Sequence, residues 1–186
     1  MNLPNSLTLF RIALIPVFVV VFYLPFNWSY VATAFIFALA ASTDWLDGYL
    51  ARSMNQTSAF GAFLDPVADK LMVATALVLL VQQESTAWLT IPALIIIGRE
   101  IAISALREWM STLGESASVA VSYIGKIKTF AQMLAIFLLL LHNPVADFPV
   151  REVGYVLIYA AAALTLWSMV IYLRAAWPKL LGNSDN

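Results

Sequence analysis

The sequence has no cysteine, a single histidine and few charges, and each scarcity removes a class of function. Without cysteine there is no disulfide, no thiolate nucleophile and no Cys-ligated zinc, and His142 alone cannot build a histidine cluster. Any metal chemistry must therefore use oxygen ligands. Lys and Arg total 10 against 11 Asp and Glu, a formal net charge of -1. With no basic tail either, the chain lacks the electrostatic footprint of a nucleic-acid partner. Charged residues make up only 11% of the chain and hydrophobic ones 62%, with a mean hydropathy of +0.84. Those values lie far outside the range of soluble domains and indicate an integral membrane protein. The opening Met1 to Thr8 has neither the basic start nor the small-residue cleavage site of a signal peptide, so the first apolar segment is expected to be retained.

A membrane span needs roughly 20 mostly apolar residues. Six such runs are present, at about 8 to 24, 30 to 50, 60 to 81, 87 to 109, 119 to 141 and 153 to 173. Breaker-rich linkers separate them, at Pro25 with Asn27, Ser53 to Ser58, Gln82 to Thr86, Ser111 to Ser118 and Asn143 to Pro149. No repeat, low-complexity tract or heptad seam interrupts the pattern. The expectation is an all-α membrane protein of six transmembrane helices, with residues 1–186 forming a single integral-membrane catalytic domain. Arg11, Arg52, Arg107, Lys126, Lys128, Arg174 and Lys179 fall on one side of these spans and Arg151 alone on the other. The positive-inside rule then puts both termini in the cytoplasm.

Against this apolar background, residues 44 to 69 carry Asp44, Asp47, Asp65 and Asp69, with Gly48, Ala51, Arg52 and Gly61 among them. A carboxylate in the hydrocarbon region costs at least about 2.5 kcal/mol on the gentlest insertion scale, so a cluster demands compensating positive charge. On helices, Asp44, Asp47, Gly48 and Ala51 share one face, and Gly61, Asp65 and Asp69 share another. Two helical faces can thus aim four carboxylates at one point. Oxygen-only ligands suit hard cations such as Mg²⁺, Mn²⁺ or Ca²⁺. Two divalent ions would balance the charge, and paired ions of this kind commonly serve phosphoryl chemistry. Gly48 and Gly61 leave clearance for a bulky substrate on the same faces. A cytoplasmic location of this cluster gives a water-soluble substrate access to it.

Asp44, Asp47-Gly48, Ala51-Arg52, Gly61, Asp65 and Asp69 together resemble the signature of the CDP-alcohol phosphatidyltransferases at every fixed position and with its spacings. The likeness extends through Pro4-Asn5, Thr8 and Arg11, the Gly98-Arg99-Glu100 and Leu106 to Trp109 segments, and Gly125 to Thr129, which are similar to the branch of the family that acts on a glycerol phosphate. The resemblance implies transfer of the phosphatidyl group from CDP-diacylglycerol to sn-glycerol 3-phosphate, with release of CMP, in a bacterial inner membrane. It implies two divalent cations, Mg²⁺ or Mn²⁺, held by Asp44, Asp47, Asp65 and Asp69, with Asp69 also the base for the acceptor hydroxyl. Gly48, Ala51, Arg52 and Gly61, with Asn5 and Thr8, are implied in binding the CDP-lipid. Arg107, Lys126, Lys128 and Arg99 are the candidates for the acceptor phosphate, since such a dianion needs cationic donors. Membrane lipids and a second copy of the chain, in a homodimer, are the implied partners.

Two further functions fit part of the pattern. The same transfer can serve another acceptor, such as inositol phosphate, serine or a phospholipid, and intramembrane acids also mark divalent-cation transporters. A transporter, however, spreads its carboxylates along a route through the bilayer, whereas these gather at one end of adjacent spans. Lys126, Lys128, Arg99 and Arg107 can also be snorkelling anchors, Arg99 can pair with Glu100 or Glu108, and Lys70 can neutralise Asp69. Trp28, Trp88, Trp109 and Trp177 near span ends fit interfacial aromatic belts, and His142 fits an interfacial position.

Overall fold

The computed structural model describes residues 3–53, 59–112, 123–142 and 149–180. Six helices occupy them: α1 (Leu3–Phe22), α2 (Ser29–Ser53), α3 (Ala59–Glu84), α4 (Ala87–Thr112), α5 (Tyr123–Leu141) and α6 (Val150–Leu180). There is no strand among the described residues. The expected loops over 54–58, 113–118 and 143–148, and residues 119–122 of the expected fifth span, lie outside the described residues. Helices overrun the apolar runs at both ends of the chain: α1 begins with Pro4 in its first turn, where a missing N–H costs nothing, and α6 continues to Leu180. Hydropathy marks the part of a helix that suits hydrocarbon, and hydrogen bonding carries the helix further.

Among the described residues, three helices are long and apolar enough to cross a membrane, over Asn5–Phe22, Ala87–Thr112 and Val150–Arg174. Shorter apolar helical stretches run over Ser29–Thr43 and Ile127–Leu141. The first of these stops one residue before Asp44, and the second begins next to Lys126 and Lys128. Together with α3, which carries Asp65, Asp69 and Lys70 near its start, the polar interruptions fall at one end of the bundle.

The core is a continuous apolar cluster in which Phe18, Phe37, Leu77, Leu80, Leu89, Ile96, Ile136, Leu140 and Ile158 are almost wholly buried. Phe18 of α1 and Phe37 of α2 meet with ring centroids 6.4 Å apart, fixing that pair of helices. Outward-facing Phe35, Phe63, Leu94, Phe130, Val156 and Trp167 are exposed, a distribution that would be unfavourable in water and suits lipid. α3 and α5 are each followed by a residue in the left-handed region, Ser85 (φ 47°) and His142 (φ 58°), which stops the helix without a glycine.

α5 and α6 pack closely where Gly154 faces Leu139. A Cβ added at Gly154 would lie 2.9 Å from Leu139 Cγ and 3.5 Å from the carbonyl oxygen of Ala135. Gly154→Val is therefore expected to destabilise the protein by about 1–3 kcal/mol, the usual cost of overpacking, with a lower melting temperature in detergent as the readout.

A second polar cluster closes the far end. Arg151, which precedes the sixth apolar run, sits in the first turn of α6 and donates to the carboxylate of Glu84, which also accepts from Tyr155 Oη at 3.2 Å. His142 stacks on Tyr30 with centroids 5.0 Å apart and lies 3.1 Å from Gln83 Nε2 through Nδ1. Glu84 is 15 residues beyond Asp69 on α3, about 22 Å by helical rise, so this cluster is remote from the acidic site.

Candidate active site

Asp65 and Asp69 stand one turn apart on α3, and the buried Gly61 precedes them by one turn on the same face. Thr8 and Arg11 stand one turn apart on α1. Because α1 and α3 run in the same direction, the two pairs come into register. Thr8 Oγ1 donates to Asp65 Oδ1 at 2.5 Å, and Arg11 Nη1 forms an ion pair with Asp69 Oδ1. Thr8 and Arg11 are both within 1% of complete burial, whereas Asp65 and Asp69 are partly exposed. α1 thus orients two carboxylates from behind while their open side faces a cavity. Asn5, one turn before Thr8, is half-buried on the same helix.

That cavity, of about 560 Å³, lies between α3, α4 and α5. Asp65, Asp69 and Lys70 line it from α3, Glu100 and Arg107 from α4, and Lys128, Thr129 and Gln132 from α5. Its remaining wall is hydrocarbon, made by Pro66, Leu71, Val73, Ala74, Ile96, Ile97, Ile101 and Met133. One cavity therefore presents a charged side and an apolar side, the requirement for a substrate that is itself amphiphilic.

The basic residues are held by specific partners. The buried Lys128 donates to Glu100 Oε1 at 3.3 Å, and the same oxygen accepts from Arg99 Nη1 at 2.9 Å. Lys70 donates to Ser104 Oγ. Arg107 donates to Tyr172 Oη at 3.0 Å, and its guanidinium carbon lies 5.5 Å from the centroid of that ring. Arg99 turns toward α6, reaching Ser168 Oγ at 3.4 Å and approaching Tyr172 to 5.9 Å, and it is not among the residues lining the cavity. Of the acceptor-phosphate candidates, Arg107 and Lys128 meet in the cavity and Arg99 stands behind it. The side chains of Lys126, Asp44, Asp47, Gly48, Ala51 and Arg52 lie outside the described residues.

Among the described residues no group of three or more acidic, histidine or cysteine side chains is placed to hold a metal ion. The two carboxylates that are described fit a hard cation: their donor atoms are all oxygen, they share one helical face, and each is oriented by a hydrogen-bonding partner on α1, as metal ligands commonly are. The expected remaining ligands, Asp44 and Asp47, belong to the last turns of α2, and α2 contacts α3.

A family model described as CDP-alcohol phosphatidyltransferase matches residues 1–167. The chain belongs to this family. Among its curated relatives, one from Pseudomonas fluorescens is 58% identical over 97% of this chain and 92% of its own length. Another from Yersinia pestis is 56% identical over 97% of this chain and 98% of its own. A third, from Pectobacterium atrosepticum, is 57% identical over 97% of both. All three are named CDP-diacylglycerol–glycerol-3-phosphate 3-phosphatidyltransferase. As a CDP-alcohol phosphatidyltransferase, the chain is an enzyme that transfers a phosphatidyl group to an alcohol acceptor.

Of the two acids the sequence offers to Arg99, the structure pairs it with Glu100, which also takes Lys128, while sequence patterns alone assign no role to Gln132, Tyr172 or the ion pair of Arg11 with Asp69. The signal for Glu100 is its place beside Arg99 in a membrane-depth segment, since an acid there must find a cationic partner. Gln132 and Tyr172 carry no charge, and nothing in their spacing separates them from tolerated residues of an apolar helix.

Proposed function

We propose that this chain transfers the phosphatidyl group of CDP-diacylglycerol to sn-glycerol 3-phosphate, giving phosphatidylglycerophosphate and CMP. The observation that carries this reading is the agreement in name of relatives 56–58% identical over nearly the whole chain. It is supported by a cavity that joins carboxylates, basic side chains and a hydrocarbon wall. The whole chain acts as one catalytic domain of a bacterial inner membrane, in a homodimer, with both termini and the charged end of the bundle facing the cytoplasm. Clustered Lys and Arg at that end support the orientation.

In this reading the apolar wall takes the acyl chains, while Gly48, Ala51, Arg52 and Gly61, with Asn5, take the CDP end. Thr8 acts on the same region by orienting Asp65. Asp44, Asp47, Asp65 and Asp69 hold two divalent cations, Mg²⁺ or Mn²⁺. When bound, such cations polarise the pyrophosphate and neutralise the charge of the leaving CMP. Arg107 and Lys128, with Lys126 and with Arg99 behind them, hold the acceptor phosphate by charge-assisted hydrogen bonds. Asp69 takes the proton of the acceptor's primary hydroxyl. That oxygen bonds to the lipid-side phosphorus as the bond to CMP breaks. Burial of the reacting atoms between helices keeps water from replacing the acceptor as nucleophile.

Purified protein supplied with CDP-diacylglycerol should release CMP with sn-glycerol 3-phosphate but not with glycerol, serine or inositol phosphate. Arg107→Ala and Lys128→Ala should each raise the KM for glycerol 3-phosphate by about 10-fold or more, with little change in that for CDP-diacylglycerol, because a charged hydrogen bond to the acceptor alone is lost. Arg52→Ala should show the opposite bias. Equal use of glycerol, or equal weakening of both substrates by every basic variant, would overturn the acceptor assignment.

A further inference from the structure

Of the polar side chains in the cavity wall that the reaction described above does not use, Lys70, Glu100 and Thr129 have hydrogen-bond partners within the protein, on Ser104, Lys128 and Gly125, and Gln132 stands apart from them. Gln132 of α5 is only 5% exposed, and its Oε1 is completely buried without a hydrogen-bond partner among the described residues. A buried amide left unpaired destabilises the fold, whereas methionine or leucine would fill the same place without that penalty. With no partner for Oε1 among the described residues, a molecule bound in the cavity that Gln132 lines is a source for one. Gln132 lies one turn beyond Lys128 on the same face of α5, about 6 Å deeper into the bundle by helical rise, and lines the cavity together with Asp69.

The chemistry of the orphaned group narrows the choice of ligand. An amide oxygen needs a donor, and an amide nitrogen needs an acceptor. Phosphate oxygens and ester carbonyls only accept, so they cannot satisfy Oε1. A hydroxyl both donates and accepts, and it satisfies the amide in either of its two orientations. We infer that Gln132 reads the secondary hydroxyl of a three-carbon acceptor held with its phosphate against Arg107 and Lys128 and its primary hydroxyl toward Asp69. This makes Gln132 a specificity-determining residue, and the inference rests on the reading of this cavity as the acceptor site. The middle hydroxyl is the one left over once the two ends of the acceptor are assigned. A site built around a hydrogen-bonded hydroxyl rejects an analogue lacking it, because the analogue leaves the buried amide unpaired.

The test uses full-length enzyme in mixed micelles with CDP-diacylglycerol and two acceptors, sn-glycerol 3-phosphate and 3-hydroxypropyl phosphate, which lacks only the secondary hydroxyl. Wild-type enzyme should prefer glycerol 3-phosphate by about 10-fold or more in kcat/KM. Gln132→Met should reduce that preference to about threefold or less, chiefly by losing activity on glycerol 3-phosphate, with the KM for CDP-diacylglycerol unchanged. Equal use of the two acceptors by wild-type enzyme overturns the inference without any variant, so poor folding of Gln132→Met cannot shelter it. It is also overturned if the variant keeps the full preference, or if it loses both acceptors equally while the donor KM rises, the mark of an amide that reads the lipid. Either result with Arg107→Ala still raising the acceptor KM would leave the acceptor site standing and remove only Gln132 from it. No effect of Arg107→Ala or Lys128→Ala on the acceptor would instead remove the site itself.

Discussion

Asp65→Asn is expected to lower turnover on the order of a hundred- to a thousandfold while the protein remains folded, since the change removes a charge and leaves the shape. The geometry adds a graded control. Thr8 reaches Asp65 from α1 through its hydroxyl at 2.5 Å, so Thr8→Val removes the orienting hydrogen bond and retains the bulk. Loss of such a supporting contact typically weakens a metal ligand by about 10–100-fold. The Thr8→Val enzyme should therefore need more Mg²⁺ for half-maximal activity and recover much of its rate when Mg²⁺ is raised, whereas Asp65→Asn should not. Titration of CMP release against Mg²⁺ and Mn²⁺ for both variants measures the difference. Wild-type turnover by Asp65→Asn would sink the metal assignment, and an unchanged Mg²⁺ requirement in Thr8→Val would sink the role of α1.

Removal of divalent cations should have a still larger effect. Dialysis against EDTA is expected to abolish CMP release, and Mg²⁺ or Mn²⁺ should restore it, because without cations the four aspartates would repel the pyrophosphate that the cations otherwise polarise. Asp69→Asn sorts the two roles proposed for that residue. If Asp69 is chiefly the base, the variant keeps Mn²⁺ binding, followed by electron paramagnetic resonance, and keeps CDP-diacylglycerol binding, but transfers nothing. Loss of Mn²⁺ binding would make it a ligand first. Turnover that persists in EDTA would remove the cations from the reaction altogether.

The helices are legible in the sequence because hydrocarbon imposes a length, and a run of about 20 apolar residues seldom occurs in a water-soluble fold. The faces of the aspartates are legible because i, i+3 and i+4 spacing fixes direction on one helix. The register between helices is not. Nothing in the spacing of Thr8 and Arg11 announces that they meet Asp65 and Asp69, 57 and 58 residues away. That meeting depends on how α1 and α3 slide against each other, which is set by the packing of the two helices in the core rather than by either sequence pattern. The basic residues show the same limit. Arg99 and Arg107 are two turns apart, yet Arg107 lines the cavity while Arg99 is drawn to Ser168 and Glu100. Tyrosine near a span end suits an aromatic belt, but Tyr172 accepts a hydrogen bond from one guanidinium while its ring lies near both.

The hydrocarbon wall formed by Leu71, Ile96, Ile97 and Ile101 also fixes the concentration scale on which the enzyme works. A ligand that occupies that wall arrives by lateral diffusion within a sheet of amphiphiles, so its effective concentration is a mole fraction in the plane. The acceptor arrives from three-dimensional solution. Diluting the donor with neutral detergent at fixed total donor should therefore slow the reaction, although the molarity of neither substrate has changed, and adding water to the same micelles should leave the donor term alone while lowering the acceptor term. The two substrates of one cavity obey different dimensionalities.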